Sequence, residues 1–267
     1  MKKITTIIFA AVVAMSAAAQ SITVYEKDTP VGFNIADVDS ILFSSSGADN
    51  PRYQREDGAL IIEGHWQSLG TSITWYNNNV SSAFKKGYQT RVMEKYAFTQ
   101  FTNSGVNGGV LSSAKSQVKK ADYYTIEHGV NDWGHSTPVG TIDDYKNNTK
   151  NGTFAANYRE LIDAIYAANS KAMIILCTPR KAYGFGTYLP AHWYDQYKGI
   201  YLQDYADLIK EIAHYESLPV ADFFYECGNQ HNLAQLSIDQ ALHPNDAGYQ
   251  LMANVLVQAF EKVLLPQ

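Results

Sequence analysis

From Leu60 onward, short apolar runs alternate with segments of helical periodicity, and this alternation limits the fold more than any other feature. Strand-length apolar runs lie at 61–69, 98–103, 123–127, 173–176 and 219–222. Patterns typical of amphipathic helices lie at 80–96, 154–168, 201–214 and 247–263. Strands that alternate with helices favour a parallel sheet that is covered on both faces. We therefore predict an α/β protein, a three-layer α/β/α sandwich with a five-stranded parallel sheet.

The 267 residues are enough for one large domain with a small addition, and the 46% hydrophobic content supports a sizeable core. Residues 1–20 combine a charged start, a short apolar run and Ala17-Ala18-Ala19-Gln20, which is typical of a secretory signal peptide. We divide the rest into a β-hairpin segment at 21–45, a linker at 46–57 and the main domain at 58–267. The mature protein is predicted to be exported, periplasmic or extracellular.

Charge and composition exclude several classes of partner. The formal net charge is -5, and charges of both signs are spread along the chain, which argues against a nucleic-acid groove. A membrane-spanning helix needs about 20 apolar residues, and the N-terminal run is shorter, so we expect no stable membrane insertion. The histidines show no metal-binding spacing, and we expect neither a metal nor a cofactor. The 19 tyrosines either line a sugar-binding cleft or pack the core.

The two cysteines leave two interpretations open. Cys177 and Cys227 follow successive predicted strands, at the same edge of the sheet. An exported protein meets oxidising conditions, so a disulfide between them is conceivable. The alternative is two buried thiols that act as small hydrophobic side chains.

Polar and glycine residues follow four of the predicted elements, where the carboxyl ends of parallel strands share one edge. Ser72 lies in the turn 68–74, Gly108 ends the segment 105–108, Asn131 follows Gly129, and His243 opens the segment 243–249. A serine at the end of a strand can act as a nucleophile. Each residue also has a simple structural interpretation: a helix N-cap, a positive-φ turn or a capping residue.

In their order and combination, these four segments resemble the blocks of the SGNH (GDSL-like) hydrolase family, over roughly Leu60 to the C-terminus. The resemblance implies a flavodoxin-like sandwich and ester hydrolysis through an acyl-enzyme, without a cofactor. It implies that Ser72 is the nucleophile and that His243 accepts its proton.

The resemblance also implies an oxyanion hole. Its donors are the backbone N–H groups of Ser72 and Gly108 and the side-chain amide of Asn131. Gly105 and Gly109 compete with Gly108 for this position.

Two positions depart from the family pattern. Thr71 stands where the family has an aspartate, and its hydroxyl can partly replace that side chain by bonding a nearby backbone group. Gln240 stands where the family has the aspartate that orients the histidine, and Asp239 lies one residue earlier. Three arrangements are open: Asp239 reaches the ring, Gln240 or a carbonyl orients it as a dyad, or the enzyme is impaired. We predict that Asp239 completes the triad.

The sequence predicts a serine esterase that acts on a small-molecule or polysaccharide ester. We expect substrate contacts from Asp132, Trp133 and Arg180, which follow strand ends. Loops rich in Tyr, Asn and Gly favour short acyl groups, such as acetyl, on carbohydrate. Two alternatives are a lipase or lysophospholipase, and a catalytically impaired SGNH-fold protein that binds carbohydrate.

Overall fold

The computed structural model describes residues 21–26, 29–34, 53–54, 57–79, 85–184, 189–190, 192–229, 231–239 and 241–264, with side chains from Asp57 onward. The predicted signal peptide and most of the predicted linker lie outside these residues. The chain divides into two units, Met1–Pro51 and Arg52–Gln267. In the first unit, β1 (Ser21–Glu26) pairs antiparallel with β2 (Thr29–Asn34).

The second unit is built on a parallel sheet. Its parallel strands are β4 (Leu60–Gly70), β5 (Tyr96–Gly105), β6 (Tyr123–Glu127), β7 (Met173–Cys177) and β8 (Val220–Ala221), in the spatial order β5-β4-β6-β7-β8. A two-residue strand, β3 (Tyr53–Gln54), pairs antiparallel with the start of β4. The prediction of an α/β fold with five parallel strands is confirmed. The strand order reverses between β4 and β6, which is where ligands bind in such sheets.

Helices cover both faces of the sheet. Those described are α1 (Ser72–Trp75), α2 (Tyr88–Met93), α3 (Leu111–Ala114), α4 (Val130–Gly134), α5 (Ile142–Lys146), α6 (Phe154–Ala168), α7 (Leu202–Glu216), α8 (Phe223–Glu226) and α9 (Asp246–Leu264). Alternate strand residues point to opposite faces. In β7, Ile174 and Leu176 pack with α6 and α7, whereas Ile175 packs with α2 and α9. The sheet is therefore buried on both sides, as its continuous apolar strands predict.

The helix predicted at 80–96 is wrong in its extent. In the structure, α2 covers only Tyr88–Met93, because Gly87 adopts an extended conformation as its N-cap. Tyr96 already begins β5, where it is aligned with Leu60 of β4. The prediction rests on the four-residue spacing of Phe84, Tyr88, Val92 and Tyr96. Of these, Tyr88, Val92 and Tyr96 are all buried, so the apolar spacing identified core residues correctly but not their backbone conformation. Phe84 lies outside the described residues.

The two cysteines are free and buried. Burial raises the pKa of both thiols, that of Cys227 to about 12. The structure thus supports the interpretation as hydrophobic thiols and not the disulfide. Within the part of the chain that the structure describes, no helix has the length and apolar character needed to cross a bilayer.

Candidate active site

Ser72 lies in the tight turn where β4 ends and α1 begins. Thr71 precedes it as the extended N-cap residue, and the Oγ1 of Thr71 accepts the N–H of Ile73 at 3.3 Å. Gly105, at the end of β5, packs against the backbone of α1, since a Cβ there would lie 2.3 Å from the nitrogen of Trp75. Only glycine permits this approach. The turn is therefore held against the edge of the sheet, and Ser72 is 3% exposed.

The three side chains predicted to be catalytic form a hydrogen-bonded triad. Oγ of Ser72 lies 3.1 Å from Nε2 of His243, and Nδ1 of His243 lies 2.7 Å from Oδ2 of Asp239. If Ser72 donates to Nε2, the ring must carry its proton on Nδ1 and donate it to the carboxylate. This is the arrangement that a serine nucleophile and its base require. Gln240, the other residue considered for the third position, lies outside the described residues.

Asp239 reaches the ring because its carboxylate also accepts hydrogen bonds from the backbone of the turn that follows it. Oδ1 of Asp239 accepts the N–H groups of Ala241 and Leu242 at 3.0 and 2.8 Å, which leaves Oδ2 facing His243. Burial by itself raises the pKa of Asp239, but the hydrogen bond from His243 and those from the backbone outweigh it and lower the pKa to about 2. The carboxylate is therefore ionised at neutral pH and can stabilise a protonated imidazole.

The loop after β5 is tied to α4, and these elements contain two of the three predicted oxyanion donors, Gly108 and Asn131. Nδ2 of Asn131 donates to the carbonyl of Gly109 at 2.9 Å. The N–H groups of Gly105 and Gly109 are engaged in hydrogen bonds of 2.8 and 2.9 Å, whereas that of Gly108 donates to none of the described residues. Gly108 has a φ of +71°, a conformation that favours glycine. Of the three glycines considered, the structure thus favours Gly108 as a donor.

Asp132 and Trp133 do not line a cleft. Both are fully buried in α4. The carboxylate of Asp132 accepts the N–H of Leu111 at 3.1 Å, and Nε1 of Trp133 donates to the carbonyl of Ile200 at 3.0 Å. Burial raises the pKa of Asp132 to about 7. The structure contradicts the predicted substrate contacts, because both side chains instead fix backbone segments next to α4.

Arg180 is likewise 1% exposed, which contradicts its predicted contact with substrate. Its guanidinium donates to Ser237 Oγ at 3.0 Å and to the carbonyls of Leu233, Leu236 and Leu242 at 3.4, 3.3 and 3.4 Å. Burial lowers the pKa of Arg180 to about 10, so it remains charged at neutral pH. These acceptors flank the turn that carries Asp239. Arg180 therefore braces the segment that presents His243.

Two residues at the site were not identified from sequence. The ring of Tyr76 meets the imidazole of His243 edge-on, with 5.1 Å between centroids. Glu127, the last residue of β6, is fully buried and accepts the Oγ1 hydrogen of Thr71 at 2.7 Å. Burial raises the pKa of Glu127 to about 7. A charged residue at the end of the apolar run 123–127, just before a glycine turn, is the signal that could have identified Glu127.

Among the residues that the structure describes, no three His, Cys, Asp or Glu side chains are grouped to hold a metal ion. The chemistry that the residues can perform is nucleophilic attack by a serine hydroxyl, with an imidazole as base and an ionised carboxylate behind it.

The chain is similar in sequence and fold to known proteins. A possible lipase from Chitinophaga pinensis DSM 2588 is 25% identical with a TM-score of 0.64, and the match covers 76% of this chain and 100% of that chain. The lipase/acylhydrolase from Enterococcus faecalis, 18% identical with a TM-score of 0.51, shares the fold over 76% of this chain and 98% of its own. No curated protein matches the sequence. The model of the GDSL-like lipase/acylhydrolase family matches residues 68–251, more than half of the chain. The chain therefore belongs to the GDSL-like lipase/acylhydrolase family.

Proposed function

We propose that the protein is a serine esterase that hydrolyses its substrate through an acyl-enzyme. The observation that supports this proposal is the triad of Ser72, His243 and Asp239, with hydrogen bonds of 3.1 and 2.7 Å. Ser72 Oγ attacks the ester carbonyl while Nε2 of His243 takes its proton, and the same proton then passes to the departing alcohol. A water molecule then attacks the acyl-enzyme in the same way, with His243 again accepting and returning a proton. This second step releases the acid and restores Ser72.

The negative charge of the tetrahedral intermediate is held by hydrogen-bond donors. We assign this role to the backbone N–H groups of Ser72 and Gly108 and to the amide of Asn131. One such donor contributes about 2.7–4 kcal/mol to transition-state stabilisation. Asp239 holds the ring of His243 in the tautomer that can accept the proton.

We propose short acyl groups, such as acetyl, on carbohydrate as the substrate class. The segment after β7 presents exposed aromatic rings: Tyr194 is 45% exposed and stacks on His192 with 4.8 Å between centroids. The N–H of Tyr183, in the same segment, donates to the carbonyl of Ala241 at 3.0 Å and so joins it to the turn of the triad. Exposed flat rings next to a catalytic turn suit a ligand with apolar faces and many hydroxyl groups, which supports a sugar.

The remaining proposals concern location and alternatives. Residues 1–20 support export of the mature protein. A lipase or lysophospholipase is the second candidate, and the possible lipase from Chitinophaga pinensis favours it. The carbohydrate-binding alternative assumed that the triad has no carboxylate, whereas Asp239 is hydrogen-bonded to His243.

Turnover of p-nitrophenyl acetate by the full mature chain tests the reaction. We expect Ser72→Ala to abolish turnover and the control Ser112→Ala, at an exposed serine in α3, to leave it unchanged. Turnover that persists in Ser72→Ala would contradict the mechanism.

Two further assays test the substrate class. A series of p-nitrophenyl esters of increasing acyl length should show a decline beyond short chains, whereas a rise would favour the lipase. Release of acetate from an acetylated polysaccharide should fall in Tyr194→Ala, while p-nitrophenyl acetate turnover should not. Equal effects on both substrates would contradict the sugar contact.

A further inference from the structure

A buried carboxylate lies directly under the turn that carries Ser72. Glu127 is aligned with Gly70 across the β4–β6 pair and has no exposed surface. Its Oε2 accepts the N–H and the Oγ1 hydrogen of Thr71 at 3.2 and 2.7 Å, and the Oγ1 hydrogen of Thr74 at 3.1 Å. These threonines stand immediately before Ser72 and two residues after it. The carboxylate therefore holds the turn from both sides.

Oε2 of Glu127 is also the end of a longer chain of buried hydrogen bonds that starts in the core. In order, its members are Trp66 Nε1, Thr125 Oγ1, Ser68 Oγ, Tyr88 OH, Thr74 Oγ1 and Glu127 Oε2, separated by 3.1, 3.1, 3.1, 2.8 and 3.1 Å. All six residues are fully buried. The chain thus connects three elements, β4, β6 and α2, to the turn of Ser72.

The chemistry of the two ends sets the direction of every bond between them. An indole N–H can only donate, so Thr125 must accept from Trp66 and pass its single hydrogen on to the next hydroxyl. Oε2 of Glu127 is the acceptor in each of its three hydrogen bonds, so Thr74 directs its hydrogen toward Glu127. The hydroxyls in between have one consistent orientation, in which each accepts one bond and donates the next. Such cooperative networks rigidify the groups they contain.

We propose that Glu127 is a positioning residue of the esterase reaction: as the terminal acceptor of this chain, it fixes the turn that presents the Ser72 hydroxyl to His243. The inference rests on the proposed function, because it assigns Ser72 as the nucleophile. Glu127 acts through Thr71 and Thr74. Thr71 transmits the constraint directly, since its Oγ1 donates to Glu127 while it accepts the N–H of Ile73.

The interaction also accounts for the family departure at position 71. The family has a carboxylate there, whereas in this chain the hydroxyl of Thr71 meets a carboxylate that comes from the neighbouring strand. Two carboxylates in this place would repel each other. Thr71→Asp should therefore be harmful when Glu127 is present, and much less so beside a glutamine, whose amide N–H can donate to the new carboxylate.

Steady-state kinetics on p-nitrophenyl acetate test the proposal. We expect Glu127→Met, which keeps the length of the side chain and removes the acceptor, to lower kcat by about 10- to 100-fold with KM changed by less than about threefold, because a slightly displaced nucleophile is costly. Glu63→Met, at an exposed glutamate in β4, is the matched control and should have wild-type kinetics. Thr71→Asp should lose activity as well, and the double variant Thr71→Asp with Glu127→Gln should recover kcat by about tenfold over Thr71→Asp alone.

Thr74→Val is a milder variant that keeps the shape of the side chain and interrupts the hydroxyl chain. We expect it to lower kcat by about three- to tenfold at unchanged KM. Thr74→Val provides the test if Glu127→Met does not fold, because wild-type kcat in Thr74→Val would then show that the carboxylate serves folding alone. Wild-type kcat in a folded Glu127→Met, or no recovery in the double variant, would also overturn the inference.

The same assays separate this inference from the proposed function. If the wild-type chain shows no turnover that depends on Ser72, both are wrong. If turnover that depends on Ser72 is present and is unaffected by the changes at Glu127 and Thr74, only the positioning role is wrong.

Discussion

Replacing Asp239 by asparagine removes one hydrogen-bond acceptor from the catalytic triad and keeps the turn around it. The carbonyl oxygen of the new amide can take the place of Oδ1, which accepts the N–H groups of Ala241 and Leu242. The NH₂ group then faces Nδ1 of His243, where Oδ2 lies at 2.7 Å in the wild type. Because an NH₂ group can only donate, Nδ1 must accept, and the proton of the ring moves to Nε2. A ring with a proton on Nε2 cannot take the proton of Ser72.

The structure separates the expected loss of catalysis from the expected loss of stability. A wrong tautomer in a Ser-His-Asp triad costs about 10⁴ in kcat, which is about 5.5 kcal/mol of transition-state stabilisation. The pKa of Asp239 falls from 3.8 to about 2, and its side chain is 22% exposed. After solvent screening, this shift is worth about 1–2 kcal/mol of folding stability. That contribution is present above pH 3.8 and is lost as the pH falls through about 2.

The assay is p-nitrophenyl acetate turnover at pH 8, together with urea unfolding of the same variant. We expect a loss of about 10⁴ in kcat with unfolding free energy lowered by no more than about 2 kcal/mol. Gln240→Ala is the matched control and should retain wild-type turnover. An Asp239→Asn protein that keeps more than about a tenth of the wild-type kcat would refute the assignment of Asp239.

Three other predictions follow from buried groups at the site. Asn131→Ala should lower kcat by about 10²–10³ with little change in KM, and an unchanged kcat would exclude its amide from the oxyanion hole. Arg180→Met should lower the unfolding free energy in urea by about 2–4 kcal/mol, because it removes the charged donor to Ser237 Oγ and to three carbonyls of the triad loop; an unaltered unfolding midpoint would contradict the bracing role. The pKa of Glu127 is raised from 4.5 to about 7 in the folded protein. Its contribution to the unfolding free energy is therefore fully present below pH 4.5, where the carboxyl is protonated, and is lost as the pH rises through about 7. The unfolding free energy of Glu127→Gln relative to wild type should therefore rise by up to about 3 kcal/mol between pH 4.5 and 8, and a difference that does not vary with pH would contradict it.

The architecture and the identity of the reacting groups could be inferred from the sequence alone. Apolar periodicity is a local property, and it located α6 at Phe154–Ala168 and the buried strand β7 without any knowledge of their neighbours. Residues at the carboxyl ends of parallel strands must share one edge of the sheet. The resemblance to the SGNH family then paired Ser72 with His243 across 171 residues before any distance was known.

Only the tertiary structure decided how the side chains between these points are used. Asp239 reaches the imidazole because its other oxygen folds the turn, and no spacing in the sequence specifies that turn. Arg180 follows a strand end, where a ligand-binding residue could lie. Its N–H groups donate instead to the loop that packs over it. Glu127 ends a buried strand, and its partner Thr71 comes from a different strand end. Burial and hydrogen-bond partners are properties of segments that are distant in sequence, so they exist only once the chain has folded.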